Sequence, residues 1–454
     1  MNPITRRFIA ISVALMTGCT PVPQSEPAAR ALAMADTLPP MRSFASARPP
    51  GPSRANATIA QDFLDLSFRM ESGRPITVMT RFDGPISVRV TGAVPSSLVP
   101  DLRSLLGRLR SEAGIDIFLT GAPDASITIE AVPRDELQRA VPRAACFVVP
   151  RISSWEEFKA VRRTTQVDWT TLERRDRAAV FVPADVAPQE VRDCLHEEIA
   201  QALGPLNDLY RLPDSVFNDD NIHAVLTGFD MLVLRAYYAD EFHNGMTRGE
   251  VAARLPAILA RLNPAGQTGP AAPYNNTTRT WIDAMETALS SSASPNRRRQ
   301  AAQEAINLAQ TFRWEGVRNG FAHYAYGRLQ VDNDPELALA SFQQAQNAYG
   351  RSQQTQIHAA HVAVQIAAFA LAAGDAQSVL QIVDDAIPVA SAHQNAALLA
   401  TLMMFHAEAL EMTGRYSEAE AVRLDSLAWA RYGFGSDSNV RARQREIAGL
   451  NPTK

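Results

Sequence analysis

The alternation of apolar and polar residues divides the chain into two regions of different secondary structure. In the first region, residues 58–264, an amphipathic helix is predicted over 100–113, where four leucines fall on one face. Around it, short runs rich in β-branched and aromatic residues predict strands. The predicted strands are 75–79, 86–90, 115–119, 126–130 and 178–182. This order of elements predicts an α+β domain.

The second region, residues 281–450, has a helical pattern throughout and shows an internal repeat. Small or apolar positions recur at a spacing of 40 or 41 residues, as in the series Ala338, Val379 and Ala419. Such a period predicts stacked helical hairpins. Gly414 is predicted to lie in a left-handed turn between two helices. Residues 265–280, rich in Pro and Gly, are predicted to be a linker.

The N-terminus has the pattern of an export signal. Two arginines, Arg6 and Arg7, precede the apolar run 8–16, and Cys19 follows a small residue. This resembles a bacterial lipoprotein signal, which implies a signal peptide 1–18, lipidation at Cys19 and a disordered tether 19–57. Thr20 does not direct inner-membrane retention, so the resemblance favours the outer membrane of a Gram-negative cell, on the periplasmic side. The alternative is an ordinary cleaved secretory signal with a chance cysteine.

Charge and cysteine content indicate whether the protein binds nucleic acid and whether it forms a disulfide. With 44 basic and 48 acidic residues the net charge is −4, so no field favours nucleic acid. Of the three cysteines, Cys146 and Cys194 remain after Cys19. An even pair in an oxidising compartment predicts a disulfide, and two buried free thiols are the alternative.

The segment 194–208 carries the most specific motif of the chain. Its frame resembles the zincin helix His-Glu-x-x-His-x-x-Gly-x-x-His/Asp. In that frame Glu197, Gln201 and Asn207 occupy the three ligand positions, and Glu198 occupies the position of the catalytic glutamate. Gly204 occupies the position of the turn.

Further landmarks follow the motif. The turn Ser215-Val216-Phe217 resembles the metzincin Ser-x-Met turn under the metal, and Thr227 with Asp230 predicts a capped last helix. Residues 57–264 are similar to a proteobacterial lipoprotein family classed as domain of unknown function 2927, which brings no known activity. The resemblances imply an α+β metzincin-like domain followed by an all-α tetratricopeptide-like helical repeat domain.

The residue types at the ligand positions change the expected chemistry. Zinc prefers His nitrogen and Cys sulfur, whereas Glu197, Gln201, Asn207 and the adjacent Asp208 offer only oxygen. Three interpretations remain open: a hydrogen-bonded polar cluster, a structural site for a hard divalent cation, or an active peptidase with unusual ligands. We expect the polar cluster and no resident cofactor. Glu198 would be the catalytic base only in an active enzyme.

The histidines near the motif do not have the spacing of zinc ligands. His196 is one register away from a His-Glu motif and lacks a partner histidine four residues on. We expect His223 to lie on an exposed loop, and His358 and His361 to share a solvated helix face.

The sequence therefore predicts a lipid-anchored envelope protein without catalytic activity. Its helical repeats are expected to bind a protein or peptide partner, and its anchor to hold it at the membrane. The alternative is a periplasmic metallopeptidase with a Glu/Gln/Asn metal site, whose repeats recruit substrate.

Overall fold

The structure is a computed structural model that describes residues 38–45, 49–142, 144–267 and 275–454. The chain from Pro39 to Lys454 forms one compact unit. The predicted signal peptide 1–18 and Cys19 lie outside the described residues, as do parts of the predicted tether and linker.

A five-stranded mixed sheet forms the centre of the N-terminal region. Its strands are β1 (Ile86–Gly92), β2 (Ile117–Leu119), β3 (Ile127–Val132), β4 (Phe147–Pro150) and β5 (Ala178–Pro183). Their order across the sheet is β2-β1-β3-β5-β4. Neighbouring strands are parallel except β4, which lies at one edge and runs antiparallel to β5. Every residue of β5 is buried, because apolar clusters cover both faces of the sheet.

The predicted strands at 86–90, 115–119, 126–130 and 178–182 all contribute to this sheet, but the predicted strand at 75–79 was wrong. That segment pairs only through single bridges, Arg69 with Pro75 and Val78 with Thr247. Pro75 has no amide hydrogen for a ladder. Strand β4 was not predicted, since its four residues are too short to show a period.

Helices surround the sheet. They are α1 (Asn56–Ser67), α2 (Leu98–Arg108), α3 (Arg134–Ala140), α4 (Trp155–Val161), α5 (Pro188–Leu203), α6 (Gly228–Tyr237) and α7 (Arg248–Leu262). Helix α2 continues as a π-helical turn, Leu109–Ala113, and ends at Gly114, whose φ is +70°. The four leucines predicted to share one face are fully buried, which confirms the amphipathic helix.

The C-terminal region is helical, as predicted. Its helices are α8 (Arg279–Leu289), α9 (Pro295–Thr311), α10 (Val317–Gln330), α11 (Pro335–Tyr349), α12 (Gln356–Ala372), α13 (Ala376–Ala392), α14 (Ala396–Met412), α15 (Tyr416–Phe434) and α16 (Asp437–Ala448). Successive helices pack on one another from α8 to α15. Gly414 has a φ of +78°, which confirms the predicted turn, and Gly374 has a φ of +79° at the equivalent position one repeat earlier.

One helical stretch, Gln353–Ala372, is long and apolar enough to cross a membrane by length and composition. Half of it is buried, and its helix α12 packs against α11 and α13. A core helix of a folded helical array has the same composition.

The helical region packs against the N-terminal domain. Gln189 at the start of α5 donates to Asn395 at 3.0 Å and accepts from the backbone of Ala397 at 2.9 Å. Tyr432 of α15 donates to Asp101 of α2 at 2.7 Å. These contacts fix the motif helix α5 between the sheet and the repeats.

The described end of the predicted tether is also packed. Phe44 stacks on Trp429 of α15 with ring centroids 4.4 Å apart, and Arg42 pairs with Asp425 at 2.6 Å. Residues 39–45 therefore lie along α15, so the segment between the predicted anchor and the domain is ordered where it meets this helix.

Candidate functional site

Helix α5 carries the motif and is fixed at both ends. Pro188 opens it, as predicted, because proline fits the first helical position. The predicted disulfide is formed: Cys146 beside β4 and Cys194 in α5 are joined, with Cα atoms 5.9 Å apart. The helix ends at Gly204, where an added Cβ would lie 3.0 Å from the ring of Tyr237. A side chain at this position would displace the Tyr237 ring by a few tenths of an ångström, so glycine allows the close packing at the turn.

His196, on the same helix, has a structural role. Its ring is buried, and Nδ1 accepts a hydrogen bond from the backbone amide of Leu226 at 3.0 Å. Burial lowers the pKa of His196 well below its usual value, so the ring is neutral. The adjacent His-Glu pair is thus a coincidence of sequence, as the missing partner histidine indicated.

The turn Ser215-Val216-Phe217 lies in the core and is held by helix α6. Asp230 accepts from the Ser215 hydroxyl at 2.5 Å and from the amide of Val216 at 3.1 Å. The same carboxylate completes a capping box with Thr227, as predicted. Phe217 is fully buried in the core cluster that also contains the apolar face of α5.

Most of the predicted polar residues meet in one cavity between β4 and α5. This β4–α5 cleft has a volume of about 640 Å³, and residues 146–149 form one wall. Glu197, Glu198, Gln201 and Asp208 line it together. The amide of Gln201 donates to Asp208 at 3.3 Å. This is the convergence that the four-residue spacing of Glu197 and Gln201 predicted.

Asn207, expected to complete the set, faces another way. Its amide nitrogen donates to the carbonyl oxygen of Asp65 in α1 at 2.9 Å. The side chain lines an adjoining cavity of about 520 Å³ between α1 and α8. The structure therefore brings Glu197 and Gln201 together without Asn207, because the turn at Gly204 directs Asn207 toward α1.

Two acidic residues that sequence reasoning missed face the same cleft. Glu71 follows α1, and Asp219 follows the Ser-Val-Phe turn. One carboxylate oxygen from each of Glu71, Asp208 and Asp219 lies within 4.8 Å of the others. Only folding brings these three positions together, so no local spacing signalled them.

The carboxylates of this cleft are destabilised in their charged form. Burial is the main cause, and neighbouring carboxylates add to it. Together they raise the pKa of Glu197 and of Asp219 to about 7. The pKa values of Glu198 and Asp208 are raised well above the usual range by the same causes. Within the described part of the chain, none of these four forms an ion pair with a basic side chain.

A group of four histidines lies where the loop that carries Asp219 and Asp220 contacts the helical repeats. Nε2 of His358 lies 2.9 Å from Asp220, and the ring of His223 lies 5.5 Å from that of His358 and 5.7 Å from that of His393. His361 lies beside Asn395, at 3.4 Å. The expectation of an exposed His223 and a solvated His358–His361 face was wrong, because these rings lie between the two regions.

The fold and site define an α/β domain with a mixed sheet and an acidic cleft at its edge strand, followed by a helix-rich region. Residues 56–257 match the model of the family described as protein of unknown function (DUF2927). The N-terminal domain is therefore similar to that family over these residues, which confirms the resemblance. A comparison with curated proteins finds no match to the chain.

Proposed function

We propose that this protein is a cell-envelope lipoprotein whose N-terminal domain binds an extended peptide segment without cleaving it. One observation carries the proposal: the outer edge of strand β4 lines the β4–α5 cleft, opposite the polar end of α5. A strand edge without a neighbouring strand, beside a cleft, is a site for an added strand. The disulfide Cys146–Cys194, typical of oxidising compartments, supports an envelope location.

The backbone of β4 presents hydrogen-bonding groups to this cleft. The amide of Arg151 donates to the carbonyl of Arg177 at 2.7 Å, in register with the β4–β5 ladder. Alternate residues of an antiparallel edge strand point their N–H and C=O groups away from the neighbouring strand. Val148, an odd number of positions from Arg151, therefore directs its N–H and C=O outward, toward a peptide in the cleft.

The side chains of the cleft favour binding over hydrolysis. Among the described residues that line it there is no histidine, and its one cysteine is in the disulfide. A zincin-like mechanism needs a metal that activates water, and nitrogen or sulfur ligands hold zinc best. Glu198 lies in the position of a catalytic base without such a partner.

The metzincin-like assignment is part of this proposal. It is supported by the antiparallel edge strand beside the motif helix, the glycine turn after that helix, and the buried Ser-Val-Phe turn held by Asp230. The tetratricopeptide-like assignment is supported by the equivalent turns at Gly374 and Gly414.

The repeats are proposed to contribute a second binding surface. A groove of about 290 Å³ lies between α12 and α13, lined by small and apolar residues such as Ala359, Ala363 and Ile366. It lies apart from Gln189 and Asp220, which contact the repeats from the N-terminal domain. A helical or extended segment of a partner protein fits such a surface.

The edge-strand proposal is tested with Val148→Pro and its matched control Val148→Ala. Proline removes the outward N–H of β4 but leaves the bonds to β5, so the fold should persist. The test peptides are selected from a random hexapeptide library. We expect Val148→Pro to raise their Kd at least about tenfold, which corresponds to ~1.4 kcal/mol of binding free energy. Val148→Ala, which keeps the N–H, should bind within about threefold of wild type.

Fluorescence anisotropy with labelled peptides measures both variants. Selection of no peptide by the wild-type protein, or equal binding by both variants, would refute the edge-strand proposal. Hydrolysis of those peptides by the wild type, sensitive to chelator and lost in Glu198→Gln, would instead establish the peptidase alternative.

A further inference from the structure

The acidic residues of the cleft form a group whose composition differs from the three zincin-like positions. Glu71, Asp208 and Asp219 come from three separate segments, and one oxygen of each lies within 4.8 Å of the others. The amide of Glu71 donates to the carbonyl of Leu206 at 3.2 Å, which holds its turn against the segment that carries Asp208. Three carboxyl groups thus lie around one point, and a main-chain contact outside the group holds the turn that carries Glu71.

A fourth carboxylate faces the same cleft and lacks a protein partner. Glu198 is only 4% exposed, and its Oε2 atom is buried without a hydrogen bond. Oδ1 of Asp208 is also buried without a hydrogen bond. A buried carboxylate oxygen without a partner costs free energy unless a proton or a cation satisfies it.

No basic side chain of the described residues forms an ion pair with this group, although the charge of Arg279 acts on Glu71 from a distance. Arg279 lines the adjoining cavity but pairs with Asp283 and Glu286 at 2.7 Å each. Arg69 also lines that cavity, and forms no ion pair with Glu71 or Asp208 in the described structure. When these carboxylates are ionised, a small cation is left to neutralise them.

The ligand chemistry selects among metals. All the available atoms are oxygens, which suit hard cations and not zinc. Three oxygens within 4.8 Å of one another are close enough to share one such ion. Mg²⁺ demands a near-ideal octahedron and usually keeps several waters with only one or two carboxylates, whereas Ca²⁺ accepts more carboxylates in a flexible geometry. A group of three carboxylates therefore favours calcium.

We propose that Glu71, Asp208 and Asp219 bind one calcium ion, with Glu198 as a fourth carboxylate at the inner side. The ion links the turn after α1, the end of α5 and the loop that contacts the repeats. It would therefore order the inner end of the β4–α5 cleft. The proposal does not depend on peptide binding, and either can fail without the other.

The test is calorimetric titration of CaCl₂ into the full chain after chelator treatment. We expect one ion per chain, with a Kd on the order of 10⁻⁴ M, as in extracellular calcium modules. Glu71→Gln and Asp219→Asn should each weaken binding at least about tenfold, since each removes a charged ligand. Both changes are nearly isosteric, and circular dichroism in calcium-free buffer checks that the fold is retained.

Glu190→Gln is the matched control. It removes the same charge from the start of α5, but Glu190 pairs with Arg134 and lines neither cavity. We expect it to change the Kd by no more than about threefold, the effect of a distant charge. Absence of saturable calcium binding, equal losses in Glu190→Gln and Asp219→Asn, or tighter binding of ZnCl₂ or MgCl₂ than of CaCl₂ would each overturn the proposal.

Discussion

At the scale of single residues, Asp230 joins two features that the sequence places fifteen residues apart. It caps α6 through Thr227 and holds Ser215 and Val216 of the buried turn. Its carboxylate therefore accepts hydrogen bonds on both sides within the core. A second capping box, of Thr247 and Glu250 on α7, is exposed and holds nothing else.

This difference predicts the cost of removing each carboxylate. Asp230→Ala should lower the free energy of unfolding by about 3 kcal/mol or more, because it removes a cap and leaves buried donors unpaired. Glu250→Ala should cost only about 0.5–1 kcal/mol, since water replaces its bonds. Urea unfolding of both variants measures the values, and equal losses would contradict the role given to Asp230.

Residue spacing revealed part of the candidate site. Glu197 and Gln201 face one cleft because residues four apart share a helix face. Thr227 and Asp230 form the predicted capping box for a similarly local reason. Glu71 could not be found in this way, since its distance from Asp208 in space depends on how α1 packs on the end of α5.

At the scale of elements, the disulfide fixes the position of α5 relative to β4. Cys146 and Cys194 are 48 positions apart in sequence, and the bridge joins the two sides of the cleft. Closing such a loop in the unfolded chain is worth about 3–4 kcal/mol in the loop-entropy model.

Replacement of both cysteines by alanine should lower the free energy of unfolding by about that amount, 3–4 kcal/mol. Guanidinium unfolding with and without reductant checks it, because reductant should destabilise the wild type and leave the variant unchanged. Free thiols at both positions in exported protein, detected by alkylation and mass spectrometry, would contradict the bridge.

Elements with a long period were predicted better than short ones. Helix α2 has leucines on one face over three turns, and Pro188 marks the start of α5, so both were visible in the sequence. Strand β4 has four residues, and its role depends on its place at the sheet edge. Sheet order arises from packing and leaves no local signal.

At the scale of the whole molecule, the repeats hold the loop that supplies Asp219. Asp220, the next residue, bonds to His358 in α12. Two consecutive residues of one loop thus face opposite ways, Asp219 toward the cleft and Asp220 toward the repeats. Histidines in the two regions gave no sign of this contact in the sequence, because each region alone shows only isolated rings.

The buried histidines predict how stability depends on pH. Burial lowers the pKa of His361 and of His393 to about 4, with the neighbouring His358 adding to the effect. Between pH 6.5 and 4 the unfolded chain therefore binds more protons at these rings than the folded chain. Their contribution to stability is full above pH 6.5 and is lost as the pH falls toward 4.

The carboxylates of the cleft have the opposite effect on the pH dependence of stability. The experiment must therefore separate their effect from that of the histidines. Since the pKa values of Glu197 and Asp219 are raised to about 7, the folded state binds more protons there, and acidification from pH 7 stabilises it. The variant His361→Gln/His393→Gln keeps those carboxylates. The difference in unfolding free energy between variant and wild type therefore isolates the two rings.

We expect that difference to shift in favour of the variant as the pH falls from 6.5 to 4. The upper limit is about 3.5 kcal/mol for each ring, since the pKa falls from 6.5 to about 4 and each pKa unit is worth ~1.4 kcal/mol, and partial exposure reduces it. Urea unfolding at intervals across this range measures the change. A difference that stays constant with pH would show that the rings have the same pKa values in the folded and unfolded chains. That result would contradict the burial of His361 and His393 between the domain and the repeats.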